Sequence, residues 1–138
     1  MDTDKEPLFP TLFRDAPVDE LNVISEKIIG SAYKVGNDLG CGFLERVYEN
    51  ALAHEIRKQG MIVSQQGELQ VFYDGVEVGR FQTDLLVEGR VLVELKAVRD
   101  LNDVYRAQCM NYLRASRLRL CLLINFGNPR VEVKRIVI

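Results

Sequence analysis

Arg119-Leu120-Cys121-Leu122-Leu123-Ile124-Asn125-Phe126 is a dense apolar run with Leu-Cys-Leu-Leu-Ile at its centre. Such a run suits a strand buried on both faces, the usual state of a strand inside a parallel sheet. Just before it, Leu101 to about Ser116 repeats apolar positions at helical spacing, with Asp100 placed to cap the start. Before that helix, Arg90 to Val98 is a further strand. A strand, a helix and a doubly buried strand in succession read as a right-handed crossover joining two parallel neighbours. The fold class is therefore α/β.

Working outward, Leu69–Tyr73 and Val76–Val87 are strands joined by Asp74-Gly75, a strong two-residue hairpin signal. Glu88-Gly89 forms a second tight turn into the strand from Arg90, so three strands make an antiparallel meander. On the other side, Gly127-Asn128-Pro129 turns the chain and Val131 to Ile138 closes the sheet. Two helices precede the strands. The first runs from Glu20 to Leu39 with Asp19 as its N-cap and Leu21, Ile24, Ile28, Ala32, Val35 and Leu39 in one stripe. Gly40-Cys41-Gly42 ends it. The second spans about Phe43–Gln59, with Leu44, Val47, Tyr48, Ala51, Leu52 and Ile56 as the buried face. Residues 1–17 hold three of the four prolines and no clean period, so they read as an N-terminal tail. Residues 18–138 form one domain, a mixed five-stranded sheet flanked by three helices.

The composition narrows the function classes. Of 138 residues, 47% are hydrophobic and 28% charged, as in ordinary globular domains. No apolar run approaches the roughly 20 residues a membrane span needs, so no membrane partner is expected. The acidic start Met1-Asp2-Thr3-Asp4-Lys5-Glu6 is unlike a secretory signal, and a cytoplasmic location is expected. Cys41, Cys109 and Cys121 form no CxxC pair, so neither a zinc site nor a disulfide framework is indicated. The net charge is −2, yet Arg99 to Ile138 carries eight basic residues against three acidic ones. A basic third can meet phosphates, or can be solvated surface.

Val91-Leu92-Val93-Glu94-Leu95-Lys96 carries the most chemistry. Alternation puts Leu92, Glu94 and Lys96 on one face. Charges within a mostly buried strand are costly, and the pair is either a surface ion pair or part of a site. Asp84 interrupts the preceding strand in the same way. Pairing Val87 with Arg90 and Leu85 with Leu92 sets Asp84 near Val93 and Glu94, and the two carboxylates converge if twist or a bulge rotates one. Carboxylates brought together repel unless a hard divalent cation takes their oxygens as ligands. Gln108 sits in the apolar stripe of the third helix, where its amide needs partners. Glu45 flanks the second helix and either reaches the end of the sheet or points to water. His54 reads as surface.

These residues resemble a known family. Gly42-Phe43-Leu44-Glu45-Arg46-Val47-Tyr48 is similar to the motif that names the GxxExxY proteins, a branch of the PD-(D/E)XK nuclease superfamily. Asp84 with Glu94-Leu95-Lys96 resembles the superfamily's D…ExK signature. Gln108-Cys109-Met110-Asn111-Tyr112 resembles the QxxxY helix motif of its DNA-repair exonucleases, and Leu123-Ile124-Asn125-Phe126-Gly127 resembles the closing strand. ExK alone is weak, but the ordered set over about residues 20–138 is specific. The resemblance implies a restriction-endonuclease-like fold and Mg²⁺- or Mn²⁺-dependent hydrolysis of DNA or RNA. It assigns Asp84, Glu94 and the main-chain carbonyl of Leu95 to the metal, with Glu45 as a further ligand. Lys96 would act with Asp84 and Glu94 in catalysis, and Gln108, Tyr112 and Tyr48 would contact substrate, although both tyrosines equally suit a core.

Two positions depart from the family pattern, in which histidines are usual where Gly36 and Tyr105 stand. Two other readings follow. One is a catalytically inactive nuclease-fold module that binds nucleic acid or a protein partner. The other is an interaction protein that forms a homodimer through its apolar C-terminal strand.

Overall fold

The computed structural model describes residues 18–138; the expected tail, residues 1–17, lies outside the described residues. Helix α1 is Val18–Leu39 and α2 is Glu45–Lys58. Strands β1 (Val63–Tyr73), β2 (Val76–Val87) and β3 (Val91–Lys96) follow, then α3 (Asp103–Ser116), β4 (Leu120–Asn125) and β5 (Glu132–Val137). The five strands form one sheet in the order β1-β2-β3-β4-β5. The β3–β4 pair is parallel and the other three are antiparallel.

Two apolar layers sandwich this sheet. On one face, Leu21, Ile24, Ile28, Ala32 and Val35 of α1 and Tyr48, Leu52 and Ile56 of α2 pack on Val91, Val93, Leu95, Leu120, Leu122 and Ile124. On the other, Cys109 and Leu113 of α3 pack on Leu92, Cys121, Leu123 and Ile136. All six residues of β4 are buried, as its unbroken apolar run requires. Burying a side chain of this kind stabilises the fold by about 1.5–3 kcal/mol, so β4 and its two coverings hold the domain together.

Several local expectations change. Asp19 is not a cap: it lies with Glu20 in the first turn of α1, where acidic side chains favour the positive end of the helix dipole. Asn102, rather than Asp100, caps α3 by accepting the amides of Val104 and Tyr105. Helix α2 starts at Glu45 with Leu44 as an extended cap residue. Its buried face is turned accordingly: Leu44 and Val47 are exposed, while Tyr48, Glu49, Leu52, Ala53 and Ile56 are inside. Strand β1 begins six residues earlier than its apolar part, because Val63–Glu68 pairs with the inner half of β2.

The turn between β2 and β3 matters most. Glu88 and Gly89 take φ of +55° and +65°, and the Arg90 amide closes on the Val87 carbonyl at 3.0 Å. The ladder itself pairs Val87 with Val91 and Leu85 with Val93. Arg90 is thus one extra loop residue, and the register differs by one from the two-residue hairpin expected.

Beyond Lys96 the chain is held by a buried amide. Asn125 accepts from the Val98 and Gly127 amides and donates to the Val98 carbonyl and to Glu132. Gly127 passes so close to the Val98 backbone that any Cβ there would collide with it. Among the described residues no helix is long and apolar enough to cross a membrane.

Candidate active site

The register shift brings the two central carboxylates together. Continuing the ladder one residue beyond Leu85↔Val93 sets Asp84 opposite Glu94, on the same face of the sheet. No bulge is needed. The Leu95 amide donates to Asp84 Oδ2 at 2.7 Å, and the Asp84 amide approaches Glu94 Oε2 at 3.4 Å. Side-chain alternation puts Lys96 on this face as well. Its Nζ lies 4.7 Å from the centre of the Tyr105 ring on α3.

Glu94 is only 5% exposed. Burial above all, then the hydrogen bond and charge of Asp84, pushes its carboxyl up to about 10. Its Oε1 is buried without a hydrogen-bond partner. A buried acceptor with no partner costs about 1–3 kcal/mol. The donor set of two opposed carboxylates, one of whose oxygens is orphaned, is all-oxygen. It therefore fits a hard divalent cation, which would supply the missing partner and offset the paired charge.

Glu45, at the first position of α2, faces the same place. Burial raises its carboxyl, Lys96 and the Ala97 amide oppose that rise, and the Asp84 and Glu49 charges add to it. Among the described residues no three His, Cys, Asp or Glu side chains stand close enough to form a ready-made metal cage. Asp84 and Glu94 meet; Glu45 is a neighbour held toward the end of β3.

Helix α3 supplies the far wall. Gln108 and Tyr112 lie one turn apart on the same helix. Burial, followed by the charges of Glu94 and Asp84, pushes the Tyr112 hydroxyl up to about 12. That coupling puts it beside the carboxylate pair. Phe81 of β2 stacks on the Tyr112 ring with centroids 4.1 Å apart and an 11° interplanar angle.

Tyr48 changes role. It is fully buried, stacked on Phe126 at 4.8 Å, and its hydroxyl donates to the Gly40 carbonyl and accepts from the Phe43 amide. With both partners internal, it holds the Gly40–Phe43 loop ahead of Glu45 and has no free group for substrate. His54 is exposed on α2, as expected.

Two residues at the site escaped the sequence reading. Glu49, one turn after Glu45, is 3% exposed and accepts from Gln65 and Gln66. Its signal was the continuation Glu49–Leu52–Ala53–Ile56 at helical spacing, hidden by giving the buried stripe to Leu44 and Val47. Gln66 also donates to Asp84 Oδ1 at 3.3 Å, and nothing in its sequence surroundings announces that.

At the two positions where the resemblance led to an expectation of histidine, the packing is specific. A Cβ at Gly36 would run into the Val131 side chain, so α1 passes close to the residue just before β5. Tyr105 instead offers its ring to Lys96.

No curated protein matches the chain. Among solved structures, it is similar to an alkaline exonuclease from Laribacter hongkongensis, with a TM-score of 0.51 and 15% identity over 92% of this chain and 75% of that one. That likeness supports the restriction-endonuclease-like architecture. A family model described as the PD-(D/E)XK nuclease superfamily matches residues 22–136. With that span covering nearly all of the domain and enclosing Asp84, Glu94 and Lys96, the chain belongs to the PD-(D/E)XK nuclease superfamily.

Proposed function

We propose that this protein is a metal-dependent phosphodiesterase that hydrolyses nucleic acid, and that it falls in the GxxExxY branch of its superfamily. The observation that carries the reading is the opposition of Asp84 and Glu94, with Glu94 Oε1 buried and without a hydrogen-bond partner and Lys96 on the same face. Family membership and the exonuclease-like fold support it.

Mg²⁺ or Mn²⁺ would be held by Asp84, Glu94 and the Leu95 main-chain carbonyl, with Glu45 as a further carboxylate. The chemistry such an ion supplies is Lewis acidity toward a phosphoryl oxygen and a positive charge against the extra negative charge of the transition state. Lys96 orients the attacking water and donates to a non-bridging phosphoryl oxygen as charge grows there. The Tyr105 ring holds its ammonium in place without neutralising it. Gln108 and Tyr112 position the scissile phosphate by hydrogen bonding. Water adds to phosphorus and releases a proton to solvent, one P–O ester bond breaks, and the departing oxygen takes up a proton from solvent or from Lys96, which solvent then reprotonates. The exposed arginines of the C-terminal third attract the phosphate backbone.

The test is a cleavage panel of single- and double-stranded DNA and RNA with Mg²⁺, Mn²⁺ or EDTA, run beside Asp84→Ala. Metal-dependent cleavage lost in the variant supports the reading; no cleavage and no Mn²⁺ binding by wild type at millimolar concentration refutes it.

A second reading, a nuclease fold that binds nucleic acid without cutting it, draws on the two departures at Gly36 and Tyr105. Salt-sensitive DNA binding that persists in Asp84→Ala, with no cleavage by wild type, identifies it. Self-association through β5 has less support: the strand is an edge, but its exposed Lys134 and Arg135 discourage edge pairing.

A further inference from the structure

Among the described residues, four non-glycine residues have a positive φ: Gln66, Asp74, Glu88 and Arg117. Asp74 and Glu88 are in hairpin turns, and Arg117 is the left-handed cap of α3. Gln66, at φ +56°, sits inside β1 and drops out of the ladder between Gln65↔Leu85 and Gly67↔Thr83. A left-handed conformation is unfavourable for a residue with a side chain. Such a residue persists when its surroundings demand it, and these cases cluster at functional sites.

The surroundings are specific. The Gln66 carboxamide donates to Glu49 Oε1 at 2.7 Å and to Asp84 Oδ1 at 3.3 Å. Glu49 is itself fixed: Gln65 donates to its other oxygen at 2.9 Å, and Arg46 of the same helix lies 3.5 Å from Oε1. Asp84 Oδ2 is held by the Leu95 amide. Asp84 is therefore gripped at both oxygens, from the β3 backbone on one side and from an amide braced on α2 on the other.

We propose that Gln66 is a positioning residue that sets the orientation of the Asp84 carboxylate for the divalent cation and couples it to α2 through Glu49. The inference rests on the reading of Asp84 and Glu94 as the cation-holding pair. The residue type follows from the task. A lysine or arginine at this point would neutralise Asp84 and compete with the cation, whereas an amide orients the carboxylate without adding charge. Each carboxylate oxygen has two lone pairs, so the bonds from Gln66 and Leu95 leave capacity for an ion. The β1–β2 register sets Gln66 opposite Asp84, and from its left-handed backbone the side chain reaches both Asp84 and Glu49.

The experiment uses the full chain as wild type, Gln66→Ala, Gln66→Asn, Gln66→Gly and Asp84→Ala. It reads Mn²⁺ affinity by calorimetry, thermal stability without metal, and kcat and KM for nucleic-acid cleavage. Asparagine tolerates the left-handed backbone but is one methylene too short to span both carboxylates, so it separates the bridge from the backbone. Glycine relieves the backbone altogether. All three Gln66 variants are expected to weaken Mn²⁺ binding by roughly tenfold or more and to lower kcat with KM for nucleic acid unchanged. Gln66→Gly is expected to melt no lower than Gln66→Ala. Wild-type Mn²⁺ affinity and kcat in Gln66→Asn or Gln66→Ala overturn the inference, including when only the melting temperature falls. If wild type binds no Mn²⁺ and matches Asp84→Ala, the functional reading fails, and this inference fails with it.

Discussion

The Lys96 ammonium lies 4.7 Å from the centre of the Tyr105 ring. This contact joins the end of β3 to the first turns of α3. A cation over an aromatic face contributes about 0.5–1 kcal/mol at an exposed site. Tyr105→Phe keeps the ring and is expected to retain near wild-type cleavage. Tyr105→Leu should lower kcat roughly two- to fivefold, in line with that energy. Steady-state kinetics of both variants, with a pH–rate profile for each, check this.

Asp84→Asn and Glu94→Gln should each reduce metal-dependent cleavage by roughly 10²–10³ or more, the scale of losing a principal charge-stabilising group. Their effects on metal-free stability should differ. Glu94→Gln removes an ionisable group from a site where it is 5% exposed with an orphaned oxygen, so its melting temperature without metal should match or exceed wild type at pH 8. Asp84→Asn gives up the charge that accepts the Leu95 and Gln66 donors and should melt lower.

Metal-free stability should fall as pH rises. The Glu94 carboxyl is pushed up to about 10 in the folded protein, against an ordinary 4.5. Between those values the folded state keeps a proton that the unfolded chain has released. Folding is therefore progressively disfavoured as pH increases, by up to about 1.4 kcal/mol per unit. Below pH 4.5 this dependence disappears. Urea denaturation in EDTA at pH 6 and pH 9 measures it, and Glu94→Gln should flatten the slope.

Tyr48→Phe tests the reassignment of that residue. The hydroxyl bonds to Gly40 and Phe43 contribute about 0.5–1.5 kcal/mol each. The variant should therefore be less stable by about 1–3 kcal/mol. KM for nucleic acid should stay unchanged at a temperature where the protein is fully folded, whereas a several-fold rise in KM would return Tyr48 to substrate binding.

Much of the fold was legible because its signals are local and strong. The unbroken run Leu120–Ile124 marked the doubly buried strand, and Asp74-Gly75 marked the hairpin. Asp84, Glu94 and Lys96 stood out because charge in buried strands is expensive. The register that makes Asp84 face Glu94 was not legible: one extra loop residue, Arg90, decides it, and a turn sequence does not state how many residues flank its closing bond. Glu49 and the first half of β1 were hidden for a related reason. Glu49 is buried because half-buried Gln65 and Gln66 satisfy its carboxylate, and such reciprocal satisfaction has no periodicity to read.

The close packing of Gly36 on Val131 bears on reversibility. A histidine placed at residue 36 would have to displace the valine, and overpacking of this kind costs about 1–3 kcal/mol. Gly36→His alone should therefore melt well below wild type, while adding Val131→Ala should recover most of the loss. Neither change is useful without the other, since Val131→Ala by itself opens a void. Residues 36 and 131 thus behave as one packing unit, in which a change at either position alone passes through a less stable chain.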